Sequence, residues 1–160
     1  MGQMEAWRRI MAAGLVLVLA AIVAPGMASA KGPVCAKSQE LAALEARVLQ
    51  TELMVGALTC GQSQRYNDFV KSYKGDLVKY GKTIRSLFKR AYGGGAKRKL
   101  NTFVTKLAND SSQRSNSARQ GYCVLAMQLF DEASVSPKRT MMELVDKPWI
   151  RSKHGFRPCG

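Results

Sequence analysis

The stretch SQELAALEARVLQTELMVGALTCG, residues 38–61, decides the fold. Leu41, Leu44, Val48, Thr51 and Val55 recur at helical spacing, and the run ends at Cys60-Gly61, a glycine placed where a helix stops. Ser38 stands at its head as the expected N-cap, within Lys37-Ser38-Gln39-Glu40. Outward from this helix the same period continues. A second segment opens near Ser63 and carries Tyr66, Phe69, Val70 and Tyr73 on one face. Lys74-Gly75-Asp76 reads as a stop and restart, with glycine as terminator and aspartate as the next cap. Leu77, Tyr80, Ile84, Leu87, Phe88 and Tyr92 form the following stripe, closed by Gly93-Gly94-Gly95.

A fourth segment runs from about Ala96 to Gln120, with apolar positions Leu100, Phe103, Val104 and Leu107. Its second half, Asp110 to Gln120, is polar all round and is expected to fray or project. Gly121-Tyr122-Cys123 restarts a helix bearing Leu125, Met127, Leu129, Phe130 and Ala133. Ser136-Pro137 is the expected start of a short helix to about Val145. The tail from Lys147 to Gly160 has two prolines and no periodicity, and reads as irregular. No sustained alternating β pattern and no internal repeat occur, so the fold class is all-α: a small bundle of about four to six helices, over residues 31–146.

Residues 1–30 have the three parts of a cleavable secretory signal: Arg8 and Arg9, an uncharged apolar run from Ile10 to Ala24, and the helix breakers Pro25-Gly26 before Ala28-Ser29-Ala30. The run is shorter than the roughly 20 apolar residues of a spanning helix. Cleavage is expected after Ala30, giving a chain that starts at Lys31, is periplasmic or secreted, and has no transmembrane anchor.

Cys35, Cys60, Cys123 and Cys159 lie beyond that point, and an even number in an exported chain reads as two disulfides. Zinc needs clustered ligands, and the nearest cysteines, 35 and 60, stand far apart in sequence. A continuous helix from 38 to 60 spans roughly 33 Å, whereas bridged Cα atoms lie within about 7 Å. Pairing 35 with 60 is therefore disfavoured. Of the two remaining connectivities, 60–123 with 35–159 is preferred: it joins the end of the first helix to the start of a later one and ties down both termini. That parity depends on whether Gly75 marks a kink or a reversal.

Cleavage removes Arg8, Arg9 and Glu5 and leaves 23 Lys and Arg against 10 Asp and Glu, a net +13. Such an excess works against folding and reports anionic partners. The densest stretch, Arg65 to Arg119, carries 14 Lys and Arg against Asp68, Asp76 and Asp110. Within it Lys89, Arg90, Lys97, Arg98 and Lys99 flank the triple glycine at the expected start of a helix, where backbone N–H groups favour an anion. They are the candidate anion- or partner-binding residues. The aromatic residues interleaved with this charge have the spacing of a packed helix face rather than of a stacking platform for bases.

A wall-cleaving enzyme needs a general-acid carboxylate, and Glu52 in its apolar surroundings is the candidate. Its partner Glu45 is roughly 10.5 Å away along the helix, beyond the roughly 6.5–9.5 Å of inverting glycosidases. His154 is the only histidine, so no hydrolytic triad can be assembled away from the tail. No cofactor or metal is expected.

The run Val48 to Cys60, then Arg65-Tyr-Asn-Asp-Phe-Val70, Phe103-Val-Thr-Lys-Leu-Ala-Asn109 and Gly121-Tyr122-Cys123 resemble a group of small, uncharacterised exported helical proteins of alphaproteobacterial type, over roughly residues 44–130. The resemblance implies a Gram-negative envelope location and favours pairing Cys60 with Cys123; it implies no activity. The function expected is a non-enzymatic module docking onto an anionic envelope polymer, a lipid surface or an acidic protein partner, with nucleic acid still open. The alternatives are an assembly subunit with incidental charge and the Glu52 hydrolase.

Overall fold

The computed structural model of the chain describes residues 34–135 and 138–160. The leader, its cleavage point and the Ser136-Pro137 cap lie outside the described residues. The fold is the expected disulfide-stabilised all-α bundle. Its axis is α1, Ser38–Cys60, which is apolar on more than one side and therefore enclosed rather than half-exposed. Ala43, Leu44, Ala46, Val48, Leu49, Leu53, Val55 and Ala57 are all buried.

The start of α1 departs from expectation by one residue: Lys37 is the cap and Ser38 is already helical. Glu40 causes the shift, because its carboxylate accepts the Lys37 backbone N–H at 2.8 Å and so closes the first turn. At the other end Gly61 takes the left-handed conformation, φ 70°, that a C-terminal glycine supplies.

Helices α2, Ser63–Ser72, and α3, Lys74–Tyr92, return along α1 as one bent rod. The break falls at Tyr73 rather than at Gly75, which is helical, and Asp76 sits in the first turn of α3 instead of capping it. The bend is a kink. The Tyr73 N–H donates to the Phe69 carbonyl at 3.0 Å, and the Leu77 N–H donates to Tyr73 at 2.9 Å, so Tyr73 both ends α2 and opens α3. Tyr73 is anchored where the axis bends: its ring is buried, and its hydroxyl donates to the carbonyls of Ala133 and Arg139.

Gly93–Gly95 form a 3-10 turn into α4, Ala96–Ser117. The polar half of α4 neither frays nor projects. Ser111 and Ser115 are buried, and the Ser115 hydroxyl lies 3.2 Å from that of Thr59 on α1. Polar residues are at home there because α1 presents Glu52 and Thr59 to them. Helix α5, Arg119–Ser134, begins two residues before Gly121, after a break at Ala118. With α2 and α3 as one rod, the chain runs up, down, up and down, which brings the end of α1 beside the start of α5. Cys60 and Cys123 are bridged there, with Cα atoms 5.7 Å apart.

The short helix expected to run to Val145 starts only at Met141, and the tail beyond it is more structured than expected. Thr140 caps α6, Met141–Val145, through the Glu143 N–H and carboxylate. Pro148 opens α7, Pro148–Arg151, and Met141, Leu144, Val145 and Ile150 complete the core against α1 and α5. The last residues pair in parallel with the first: β1, Cys35–Ala36, lies beside β2, Arg157–Pro158, next to the Cys35–Cys159 bridge. Phe156 then closes an aromatic cluster with Phe88 and Phe103, centroids 5.8 and 5.9 Å away. Helices of one turn carry no period, which is why the sequence shows none.

Gly56 sets how closely α1 and α5 approach. A Cβ at this position would lie 2.7 Å from the Ala126 Cβ, and the bridge one turn away keeps the helices from separating. Gly56→Ala is therefore expected to destabilise the fold by about 1–3 kcal/mol from overpacking, less the roughly 1 kcal/mol that alanine gains in a helix. Urea unfolding of Gly56→Ala, Ala126→Gly and the double variant checks this: the double variant should recover stability that Gly56→Ala loses.

Candidate functional site

Ionic pairing divides the surface unevenly. Between Lys71 and Lys99 every cation is exposed, and Arg90 alone has a carboxylate within 4.0 Å among the described residues. On α3, Lys82, Arg85 and Lys89 recur at i, i+3 and i+7, so they share one face. That face is turned away from Ile84, Leu87, Phe88 and Ala91, which fill the core. The acids lie elsewhere, tied to other cations: Asp131 to Arg65, Glu132 to Lys147 and Arg139, Asp146 to Arg151.

The structure sorts the five candidate residues into different surroundings. Lys89 and Lys97 come together across the triple-glycine turn, where with Arg85 they rim a shallow depression of roughly 370 Å³ floored by Phe88, Ala96 and Leu100. Arg98 shares with Lys97 a second, wider depression along α4 that also takes in Lys106 and Asp110. Lys99 lies over the Tyr92 ring, 5.9 Å from its centroid. Arg90 is committed to a surface tie: it donates to Glu40 at 2.6 Å and to the Cys35 carbonyl at 3.2 Å, holding the end of α3 to the head of α1. The first turn of α4 has no acidic residue and no side-chain cap, so three cations sit unbalanced at the positive end of its dipole.

Glu52 is the centre of a different arrangement. It is only 5% exposed, on the face of α1 covered by α4, α5 and the tail. One carboxylate oxygen accepts from Arg114 and, at 3.0 Å, from Lys153; the other takes the hydroxyls of Ser111 and Tyr122, both at 3.1 Å. Burial pushes the Tyr122 hydroxyl pKa up, while its contact with Ser111 works the other way. Burial also lowers the Lys153 pKa, against the pull of Glu52. Glu45 has its own cation in Arg151, 3.9 Å away. A pocket of about 310 Å³, edged by Trp149 and Leu125, opens beside the cluster. Chemically the arrangement holds a buried charge with two cations and two hydroxyls, and it fastens the tail to α1. Sequence reading picks out Glu52 but not its partners, because Arg114 and Lys153 lie 62 and 101 positions away.

The interleaved aromatics are core: Phe69, Tyr73 and Phe88 are buried, and Tyr66, Tyr80 and Phe103 pack against them. Among the described residues no three His, Cys, Asp or Glu side chains gather as metal ligands, and no helix is long and apolar enough to cross a membrane. His154 is 7% exposed, and its Nδ1 accepts the Phe156 backbone N–H at 3.1 Å.

Two measurements check these assignments. Glu52→Gln should lower stability by about 3 kcal/mol, at the low end for breaking a buried pair because Arg114 keeps some solvent; the urea midpoint should fall with its slope unchanged. Burial holds the His154 pKa below the ordinary 6.5. The unfolded chain then binds a proton that the folded chain refuses, so stability is full above that value and is lost as pH falls below it. Unfolding free energy should drop from pH 7 towards pH 5, and His154→Gln should flatten that slope. No protein-family model, curated protein or solved structure matches the chain, so a functional reading starts from this geometry.

Proposed function

We propose that the protein is an exported, non-enzymatic helical module that docks onto an anionic component of a Gram-negative envelope through the cations of α3 and the first turn of α4. The observation that carries this is the exposed run from Lys71 to Lys99, in which only Arg90 has an acidic partner among the described residues. Packing and internal ion pairs use few of these charges. Their mutual repulsion opposes folding, so an external anion is what compensates them. Export is supported by the leader pattern at residues 1–30 and by two disulfides, Cys35–Cys159 and Cys60–Cys123, which persist in oxidising compartments. The resemblance over residues 44–130 supports the same compartment.

Lys82, Lys89 and Lys97 stand on the exposed face without a carboxylate partner, so replacing them should leave the fold intact. A surface lysine near an anionic membrane contributes about 1 kcal/mol. Lys82→Gln/Lys89→Gln/Lys97→Gln is therefore expected to bind anionic vesicles roughly a hundredfold more weakly than the parent. Co-sedimentation with phosphatidylglycerol vesicles, lipopolysaccharide and peptidoglycan, with circular dichroism to confirm the fold, measures this. Equal binding by parent and variant would make the basic face incidental and favour an assembly subunit.

A further inference from the structure

A second feature lies between α1, α3 and α4, apart from Lys89 and Lys97. It is a cleft of about 400 Å³, within the range of small-molecule sites. Apolar side chains of Ala46, Ile84, Leu100 and Val104 line it, and no Asp or Glu does. Two arginines line it, one on α1 and one on α3, and the second also borders the depression of Lys89 and Lys97. Arg47, on α1, is half-buried; its Nη1 donates to the neutral Gln50 Oε1 at 2.9 Å, and burial lowers its pKa. Arg85, on α3, folds back over Gly81: a Cβ at Gly81 would lie 3.6 Å from Arg85 Nη1. Neither arginine has a carboxylate within 4.0 Å among the described residues. Arg47 is thus a partly desolvated cation with no anion beside it, which costs free energy, while Arg85 stays exposed at the edge of the cleft.

We infer that this cleft binds a single-chain carboxylate amphiphile, its head group held between Arg47 and Arg85 and its tail laid over the apolar floor. The guanidinium fork matches a carboxylate's two oxygens, and the floor gives the tail a dry contact. Between Ala43 and Gln50 the α1 wall is roughly 10.5 Å long at 1.5 Å per residue, which suits a medium-length chain. Gly81 lines the cleft, and a side chain there would meet the Arg85 guanidinium.

Isothermal titration calorimetry of the purified, disulfide-intact protein tests the inference with three probes. Decanoate carries head and tail, decanamide the tail without the charge, and inorganic phosphate the charge without the tail. Decanoate is expected to bind at one site per chain, and the other two at least about tenfold more weakly. Arg47→Gln should weaken decanoate by a similar factor while leaving the melting temperature equal or higher, because folding has no use for that cation. Gly81→Leu should block the cleft and keep the fold, since leucine suits a helix better than glycine; it is the deciding variant if Arg47→Gln unfolds. No decanoate binding, phosphate binding as tight as decanoate, or undiminished decanoate binding to folded Gly81→Leu would each overturn the assignment. Lys82→Gln/Lys89→Gln/Lys97→Gln is expected to bind decanoate like the parent, which separates this site from the outer face.

Discussion

The enclosure of α1 is the constraint on which the other features depend. Its sequence is apolar on several sides, so a single partner helix cannot cover it, and the chain wraps it with α3, α4, α5, α6 and α7. Enclosure of that kind requires close approach, which Gly56 supplies against Ala126. It also requires that the polar residues left on α1 find partners inside. Glu52 does so with Arg114, Lys153, Ser111 and Tyr122, and Thr51 by donating to the Arg47 carbonyl at 2.9 Å. Arg47 is the charged residue of α1 whose hydrogen-bonded partner is a neutral side chain. The same demand that satisfies Glu52 therefore leaves one cation in a cleft.

Charge follows the same division. The acids are spent largely on stitching: Glu40 holds the end of α3, Glu52 and Glu45 hold the tail, and Glu132 holds the approach to α7 through Lys147. Most of the cations between Lys71 and Lys99 are left over, facing outward on α3 and α4. A net positive protein need not be positive everywhere. Here Arg139, Lys147, Arg151 and Lys153 of the tail are paired with carboxylates, and the outer face carries cations that are not.

Much of this was legible in the residues. Long periodic segments place α1, α3 and α5, the two glycine-rich stops at Gly61 and Gly93–Gly95 fall where helices end, and helix length alone removes the 35–60 pairing. Misjudged features share a cause. Gly75 and the polar half of α4 look like breaks when judged by local propensity, yet Tyr73's buried hydroxyl and Glu52's need for Ser111 override it. The tail looks irregular because its order comes from long-range contacts, among them the Cys35–Cys159 bridge, the Ile150 side chain and the β1–β2 pairing. For the candidate site, the sequence points to the correct stretch but cannot say which cations are taken. Arg90 and Lys97 lie on either side of the glycines, and only the packing of α3 on the head of α1 tells the committed one from the free one.

In the proposed function the outer cations, rather than an apolar surface, hold the partner. The most direct measurement is capture from envelope extract by the immobilised, disulfide-intact protein, eluted along a rising salt gradient. Exposed charges are screened within about 3 Å at 1 M salt, so partners held by α3 and α4 should leave well before that concentration. Partners that stay bound through 1 M salt would contradict the account and assign the contact to an apolar interface instead.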